Sequence, residues 1–326
     1  MSPQAQAWTG RRRGWLASQP PSAAVEISSR RVAALCIAEQ GGGMVISGHG
    51  AEPLSEGVVE PALNAVNVHD PAALATAVRA ALGSLSPRPR RIALVLPDTV
   101  AKVSLIRFEK VPPKLQDLDQ LVRWQVRKAA PFRIEDAQVS WVPGVALEGG
   151  GREFVVSVAR KDVIAGYERA CEAAGAYAGV VDLASFNLMN TVLASMPEAA
   201  GDWLLVHVGT EYATLAVVRA GNLVFFRNRG AAGPAEIADL VHQTAMYHED
   251  RLGGGGFSRV VMAGAALQGP EKAEWIRRSL EERLQVHIEP VDFRHAVAIR
   301  DRISAGPELL DVLAPALGVL LREKAA

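Results

Sequence analysis

The hydrophobic pattern of the chain predicts two similar runs of elements, which begin about 180 positions apart. Apolar residues at 23–27 and 32–37, and again at 204–208 and 213–218, predict pairs of strands joined by short turns of small residues. In each run a third strand, a helix and a buried strand follow the pair. This repetition predicts two lobes of duplicated architecture in an α/β fold with mixed sheets.

Helix and strand signals support this order. In the first run, Asp70 and Pro71 form an N-cap and a first turn, Gly83 ends the helix, and the apolar stretch 91–96 predicts a buried strand. The second run repeats the pattern with a third strand at 223–227, a helix at 235–252 and a buried strand at 259–264. A late strand at 286–289 and a closing helix at 309–324 complete the chain.

A separate α+β unit lies between the two runs. Its pattern predicts a strand at 103–108, a helix at 117–128, strands at 139–142 and 154–158, and a helix at 162–174. The predicted domains are therefore a disordered leader at 1–22, a first lobe at 23–102 and 179–200, an insert at 103–178 and a shortened second lobe at 201–326.

Composition narrows the classes of function. The 35 basic and 35 acidic residues balance, which argues against nucleic-acid binding through a broad positive field. Cys36 and Cys171 form neither a disulfide framework nor a zinc signature. No apolar run approaches the about 20 residues of a membrane helix. In the leader, Arg11 to Arg13 precede Trp15, which leaves open a contact with an anionic membrane or a partner.

The paired hairpins carry the candidate chemistry. Small turn residues let backbone N–H groups approach a phosphate, and hydroxyl groups add donors. The candidate cleft residues are Glu26, Ser28, Ser29, Arg30, Gly209, Thr210 and Gly264. ATP with Mg²⁺ is one possible ligand, and Arg30 with Arg31 can hold phosphates without a metal. The alternative is an inherited hairpin that binds nothing, because tight turns need small residues in any case.

Other motifs predict no catalytic or metal site. Residues 253–256 are four glycines without the Lys-Ser/Thr ending of a phosphate loop, and they are interpreted as a flexible connector. His242 and His248 do not share a helix face as metal ligands would, and they are interpreted as surface or interface histidines.

Further motifs resemble one family. The motifs comprise residues 121–125 together with Ala130-Pro131-Phe132, and residues 155–161, 173–175, 181–188 and 314–318. They resemble the type IV pilus assembly protein PilM family of the actin-like ATPase superfamily, over nearly all of residues 23–323. The resemblance implies an actin-like two-lobe fold with the insert in the first lobe. It also implies a cytoplasmic protein, peripheral to the inner membrane, that binds the cytoplasmic N-terminus of the membrane protein PilN.

The chain departs from the family at its hairpins. Where the family usually has Asp-Ile-Gly twice, this chain has Glu26-Ile27-Ser28 and His207-Val208-Gly209, and Ala33 replaces a usual lysine. Histidine is a poor substitute for a carboxylate around Mg²⁺. The segment between the third strand and the buried strand of the second lobe is also short. The resemblance therefore implies a scaffold whose nucleotide hydrolysis is lost, a pseudo-ATPase.

The partner peptide is predicted to lie against the first lobe and the insert. The candidate residues are Val103, Leu105, Arg107, Arg123, Trp124 and Arg127, because an exposed strand can pair with an extended peptide and Trp and Arg often dominate interfaces. Trp124 packing within the insert is the alternative. Competing functions are an active ATPase or small-molecule kinase that binds ATP-Mg²⁺ between the lobes, and a filament-forming actin relative. Another competing function is that of the cytoplasmic domain of a type II secretion protein. This function is disfavoured because a membrane span normally follows such a domain.

Overall fold

The chain folds, in a computed structural model, into two mixed sheets and one smaller antiparallel sheet. The structure describes residues 21–196, 201–230, 233–299 and 305–322. The predicted leader at 1–22 thus lies almost entirely outside the described residues. In these ranges no helix is both long enough and apolar enough to cross a membrane.

Strands and helices are numbered in chain order. The strands are β1 (Ala23–Ile27), β2 (Arg31–Gln40), β3 (Gly43–Pro53), β4 (Arg91–Leu96), β5 (Ala101–Phe108), β6 (Ala137–Ala146), β7 (Arg152–Arg160), β8 (Tyr177–Leu183), β9 (Asp202–Val208), β10 (Tyr212–Arg219), β11 (Asn222–Gly230), β12 (Arg259–Ala263), β13 (Ile288–Pro290) and β14 (Val297–Ile299). The α-helices are α1 (Pro71–Gly83), α2 (Leu115–Val126), α3 (Lys161–Ala173), α4 (Ala184–Ser195), α5 (Pro234–Leu252), α6 (Pro270–Leu284) and α7 (Pro307–Leu321).

The first lobe is built on a six-stranded sheet in the order β14-β3-β2-β1-β4-β8. β1, β2 and β3 form an antiparallel meander, and β4 runs parallel to β1. β4 contributes side chains to a core on each face of the sheet, which explains its continuous apolar sequence. α1 begins as predicted, because the Asp70 side chain accepts a hydrogen bond from the Ala73 N–H at 2.9 Å.

The second lobe repeats this arrangement in a five-stranded sheet with the order β11-β10-β9-β12-β13. β9, β10 and β11 form the meander, and β12 runs parallel to β9. Glu26 lies beside Val95 of β4, and His207 lies beside Ala263 of β12. Glu26 and His207 therefore occupy equivalent positions in the two lobes, as the sequence repeat predicts.

Two late elements, β14 and α7, pack on the first lobe, although the sequence places both within a second lobe at 201–326. β14 pairs with β3, and α7 packs on α4 and on β1, β2 and β4. α7 is buried on nearly all sides, so it needs apolar neighbours from both lobes. The apolar sequence of α7 predicts that this helix is buried, but it does not predict which elements pack around it.

The insert is the antiparallel sheet β5-β7-β6 with α2 on one face. Leu118, Val122 and Val126 of α2 pack against this sheet. α3, which the prediction included within 103–178, instead packs against α1, with Val163 and Tyr167 in the core of the first lobe. We therefore propose residues 101–160 as the extent of the insert.

Gly318 allows α7 to pack tightly on α4, because an added Cβ would lie 1.8 Å from the backbone oxygen of Asn187. We expect Gly318→Ala to push the helices apart and to lower the free energy of unfolding by about 1–3 kcal/mol. Urea unfolding measures this change. Gly83→Ala, at the open end of α1, is the matched control and should be neutral or slightly stabilising. Equal midpoints for the two variants would contradict this account of the packing.

Candidate functional site

The turns of the two hairpins face each other across one cleft of about 230 Å³. Of the residues predicted for a nucleotide cleft, the structure brings together Glu26, Ser28, Ser29, Arg30, Gly209 and Thr210. His207 also lines the cleft. Gly264 follows β12 and lies next to this wall, against Val208.

The polar groups of the first hairpin mostly have protein partners. Ser28 Oγ donates to the Arg31 carbonyl oxygen at 3.1 Å. Glu26 Oε2 lies 3.1 Å from Arg31 Nη2, and the Glu26 side chain is 9% exposed. Arg30, at the rim, pairs with Glu56. A metal ion would therefore have to compete with Arg31 for the Glu26 carboxylate.

The second hairpin is shaped by Tyr212. The Gly209 N–H donates to the Tyr212 carbonyl at 2.8 Å. The Tyr212 ring lies so close to Gly209 that an added Cβ would stand 2.4 Å from a ring atom. The same ring stands edge-on to His207, with 5.4 Å between the ring centroids. Packing of the tyrosine explains Gly209, so this glycine does not by itself indicate a phosphate site.

One buried carboxylate below the cleft connects the two lobes. Asp98 follows β4 and is fully buried. Its Oδ2 accepts hydrogen bonds from Ser185 Oγ at 2.5 Å and Thr214 Oγ1 at 2.8 Å, and it lies 3.3 Å from His207 Nδ1. Its Oδ1 accepts the Ser185 N–H at 3.0 Å. Asn228 extends the network by donating to Thr214 at 2.8 Å.

This network determines which edge of His207 faces the cleft. Ser185 Oγ donates its hydrogen to Asp98, so it accepts a hydrogen bond from His207 Nδ1 at 2.9 Å. Nδ1 therefore carries a proton, and the opposite edge of the ring, with Nε2, is left to line the cleft.

The charge of Asp98 is stabilised by its neighbours. Burial by itself raises the pKa of Asp98, but the hydrogen bond and charge of His207, with the hydrogen bonds of Ser185, outweigh burial and hold this pKa below its ordinary value. The carboxylate is thus ionised at neutral pH.

The turn after β12 is held by a carboxylate of the chain itself. Asp311 of α7 accepts hydrogen bonds from the backbone N–H groups of Ala266, at 2.9 Å, and of Gly264. Burial raises the pKa of Asp311 to about 6, and these hydrogen bonds offset only part of that rise. Asp311 therefore occupies backbone donors of the turn at Gly264, a residue predicted for the nucleotide cleft.

Asp98, Tyr212 and Asp311 are site residues that no sequence motif predicts. The signal for Asp98 is its position directly after a buried strand, where polar groups of neighbouring strands meet. The signal for Asp311 is a carboxylate within an otherwise apolar helix. Neither signal shows which groups of the other lobe lie opposite.

His248 differs from its predicted surface position, because it is fully buried. Its Nε2 lies 2.5 Å from Asp202 Oδ2, and its ring stacks on Phe257. Asp202 also pairs with Arg219. These contacts hold the end of α5 against β9, while residues 253–256 connect α5 to β12 as predicted. His242 is exposed.

The six predicted partner-binding residues lie on two opposite faces of the insert. Ile106 and Phe108 of β5 face α2, so the alternating residues Val103, Leu105 and Arg107 project from the other face of the sheet. Arg107 pairs there with Glu153 at 2.7 Å. The remaining three lie on α2 or directly after it. Arg123 pairs with Asp119, Trp124 is 65% exposed, and Arg127, the residue that follows α2, is exposed.

A second cavity, called here the apolar groove, lies where the insert meets both lobes, with a volume of about 470 Å³. Its apolar lining comes from β6, β7, β8, α4 and the β10–β11 hairpin. The apolar residues are Trp141, Val142, Pro143, Val155, Val181, Phe186, Met189, Leu193, Val218 and Leu223. Asp182 and Arg322 are the charged residues of its lining. β6, along its side, is an edge strand of the insert.

Comparisons with known proteins identify the family. The sequence matches that of the type IV pilus assembly protein PilM over residues 24–251. The chain belongs to the PilM family. No curated protein matches it significantly in sequence.

Solved structures are similar in fold. A structure of the PilM-PilN type IV pilus biogenesis complex is 21% identical, with a TM-score of 0.77, over 91% of this chain and 98% of that chain. A Bacteroides thetaiotaomicron protein of actin-like ATPase fold is 9% identical, with a TM-score of 0.48, over 82% and 89% of the two chains. The cytoplasmic domain of Vibrio cholerae EpsL is 8% identical, with a TM-score of 0.45, over 74% and 80%. The predicted actin-like two-lobe α/β fold is confirmed.

The actin-like fold of the PilM family implies ATP with Mg²⁺ between the lobes, but the residues of this cleft do not fit the metal. Mg²⁺ requires oxygen ligands in octahedral geometry. Glu26 is paired with Arg31, and the equivalent position is His207. Within the described ranges, no group of three or more His, Cys, Asp or Glu residues is arranged to hold a metal ion.

Asp98→Asn removes the buried charge with little change of volume. Ser185 and Thr214 then lose a charged acceptor, and we expect the free energy of unfolding at pH 7 to fall by about 1.5–3 kcal/mol, as measured by urea unfolding. Asp239→Asn, which breaks the exposed Asp239–Arg283 pair, is the control and should cost at most about 1 kcal/mol. Similar losses in the two variants would rule out the role assigned to Asp98.

Asp311 should make stability depend on pH. Its pKa in the folded protein is about 6, above its ordinary value of 3.8, so the folded state holds more protons between these values. Stability therefore falls as pH rises from about 4 to 6. Asp311→Asn keeps an acceptor for Ala266 and removes this effect. Urea unfolding of both proteins across this range should show the wild type losing stability relative to the variant, and parallel curves would contradict the assignment.

Proposed function

We propose that this PilM-family protein is an adaptor of the type IV pilus assembly machinery and binds the N-terminal cytoplasmic segment of a PilN-type membrane protein. The family match and the fold shared with a PilM-PilN complex support this proposal. Binding would hold the protein at the cytoplasmic face of the inner membrane. The observation that carries the proposal is the apolar groove beside the edge strand β6.

The groove suits an extended apolar segment. Val142 of β6 is 58% exposed at its wall, beside the other apolar residues of the lining, and a contiguous exposed apolar patch is typical of a binding surface. Main-chain groups on the outer side of an edge strand can pair with an added strand. The side chains of α4 opposite offer pockets for alternate residues of that strand.

Two charged residues give the groove polarity. Asp182 and Arg322 line it together. Burial raises the pKa of Asp182, and the charge of Arg322 acts in the opposite direction. A few polar groups in an otherwise apolar site select the orientation of a ligand, so these side chains would orient a bound peptide.

Nucleotide hydrolysis is not part of the proposed function. Water activation or metal binding requires a carboxylate that faces the substrate. Glu26 is paired with Arg31, Asp98 is closed off behind His207, and Asp311 is bound to a backbone turn. We therefore propose that the protein is a pseudo-ATPase, with the fold of an ATPase but without nucleotide hydrolysis.

Val142→Glu tests the groove, since a charge at this wall should oppose an apolar peptide. We expect it to weaken, by at least about tenfold, the binding of a fluorescent peptide with the N-terminal sequence of the organism's PilN-type protein, measured by anisotropy. Val66→Glu makes the same change at another exposed valine and should bind like the wild type.

The double variant Trp124→Ala with Arg127→Glu tests the alternative peptide-binding surface at the end of α2. We expect unchanged peptide binding for this variant. Loss of binding here, with Val142→Glu unaffected, would move the site to α2. No binding of the peptide to the wild-type protein would overturn the adaptor proposal.

A further inference from the structure

The end of α2 presents an exposed tryptophan among basic side chains, and the adaptor function assigns no contact to it. We infer that this surface binds the headgroups of an anionic phospholipid bilayer. It is called here the basic patch and comprises Lys102, Trp124, Arg127, Lys128 and Lys161. The inference goes beyond the proposed function and concerns a different surface from the apolar groove.

Helical spacing places two cations beside the tryptophan. Arg127 and Lys128 follow Trp124 by three and four positions, which are neighbouring positions on a helix surface. The backbone is still helical at Arg127. Trp124 is 65% exposed, and Arg127 and Lys128 are exposed as well. A surface that approaches this face of α2 therefore meets one apolar ring and two positive charges together.

Two lysines from other elements add to the same end of the helix. Lys102 Nζ of β5 donates to the Ala129 carbonyl oxygen at 2.9 Å, and Lys161 Nζ of α3 donates to the Glu135 carbonyl oxygen at 2.8 Å. Both lysines are exposed, and these hydrogen bonds hold their ammonium groups beside the loop that follows α2. The helix dipole explains cations at a helix C-terminus, but it does not explain the exposed indole beside them.

The acidic side chains nearby leave the basic patch with a net positive charge. Three of them pair with cations outside the patch: Asp119 with Arg123, Glu135 with Arg133, and Asp162 with Arg160. Asp136 is exposed, and Asp117 is exposed at the opposite end of α2. The four cations of the patch therefore outweigh Asp136, although the acidic and basic residues of the whole chain balance.

A bilayer matches this composition better than a folded protein partner does. Stable protein interfaces bury about 1,200 Å² or more over a fitted surface, whereas the basic patch presents a single large apolar side chain. Tryptophan is enriched at the boundary between the headgroups and the hydrocarbon of a bilayer. Each Lys or Arg near an anionic bilayer adds to binding without a fixed partner group. The ligand class is therefore an anionic phospholipid surface.

The basic patch and the apolar groove lie on opposite faces of the insert. Val139 of β6 packs towards α2, so Val142, three positions later, projects from the other face and lines the groove. A bilayer at the patch and a peptide in the groove therefore do not compete for the same side chains. Two weak contacts with one membrane strengthen each other, because the second becomes intramolecular.

Co-sedimentation of the full chain with lipid vesicles tests this inference. We expect the protein to bind vesicles of phosphatidylcholine that contain one third phosphatidylglycerol, and to bind vesicles of phosphatidylcholine alone at least about tenfold more weakly. Added salt should weaken the binding to the anionic vesicles, because it screens exposed charges. Equal binding to both kinds of vesicle, or binding to neither, would overturn the inference.

Variants without two of the charges locate the contact. Arg127→Gln with Lys128→Gln should weaken binding to the anionic vesicles about thirtyfold, since each cation near an anionic bilayer contributes about fivefold. Lys272→Gln with Arg278→Gln makes the same change of charge at exposed positions of α6 and should bind like the wild type. Equal losses in the two double variants would show a response to total charge and would contradict the patch.

Trp124 has its own readout. When anionic vesicles are added, the tryptophan emission should move to shorter wavelength as the indole leaves water, and Trp124→Phe should abolish this shift. Trp124→Ala should weaken vesicle binding about tenfold, the loss expected for one large apolar side chain. Trp275→Ala, at another exposed tryptophan, is the control and should keep both the shift and the affinity. A shift that persists in Trp124→Phe would overturn the role of Trp124.

An acidic protein is the other class of partner that a basic patch can bind. Binding of polyglutamate to the wild-type protein, with no binding of the vesicles, would assign the surface to such a partner and overturn the inference. The vesicles contain no PilN-type protein, and the peptide titration above contains no lipid. Failure of this inference is therefore distinguishable from failure of the adaptor proposal.

Discussion

The buried carboxylate of Asp98 is the constraint on which both the packing of the lobes and the character of the cleft depend. An ionised carboxylate in a protein interior costs several kcal/mol unless charge and hydrogen bonds offset that cost. Here the donors come from both lobes: Ser185 from the first, and Thr214 and His207 from the second. The lobes therefore cannot separate at this point without exposing or orphaning the charge. α7, packed on α4 between the sheets, closes the apolar part of the same interface.

This constraint also decides what the cleft can do. The position equivalent to Glu26 is occupied by the histidine that contacts Asp98, so one side chain both belongs to the buried network and lines the cleft. A carboxylate in place of His207 would set two like charges side by side below the cleft, which is unfavourable in a low dielectric. The absence of a second carboxylate at this position of the cleft and the stability of the lobe interface thus have one physical cause.

The cleft and the apolar groove share a helix. Ser185, in the first turn of α4, belongs to the Asp98 network, and Met189 and Leu193, further along, line the groove. α4 is held against α7 by the close approach at Gly318 and by the Thr191 hydroxyl, which donates to the Ala314 carbonyl at 2.8 Å. The Asp98 network and the apolar groove are therefore both built on one rigid helix.

Local sequence determined much of this protein. Apolar periodicity gave the meanders, the buried strands and the equivalence of Glu26 and His207, because strand pairing and burial follow from neighbouring residues. Only the tertiary structure decided which groups meet across long separations. Asp98 contacts His207 and Thr214, α7 returns to the first lobe, and β5 and α2 present their predicted binding residues on opposite faces of one sheet. Periodicity reports that a residue is buried or exposed; it does not report the partner, because that depends on how separate elements pack.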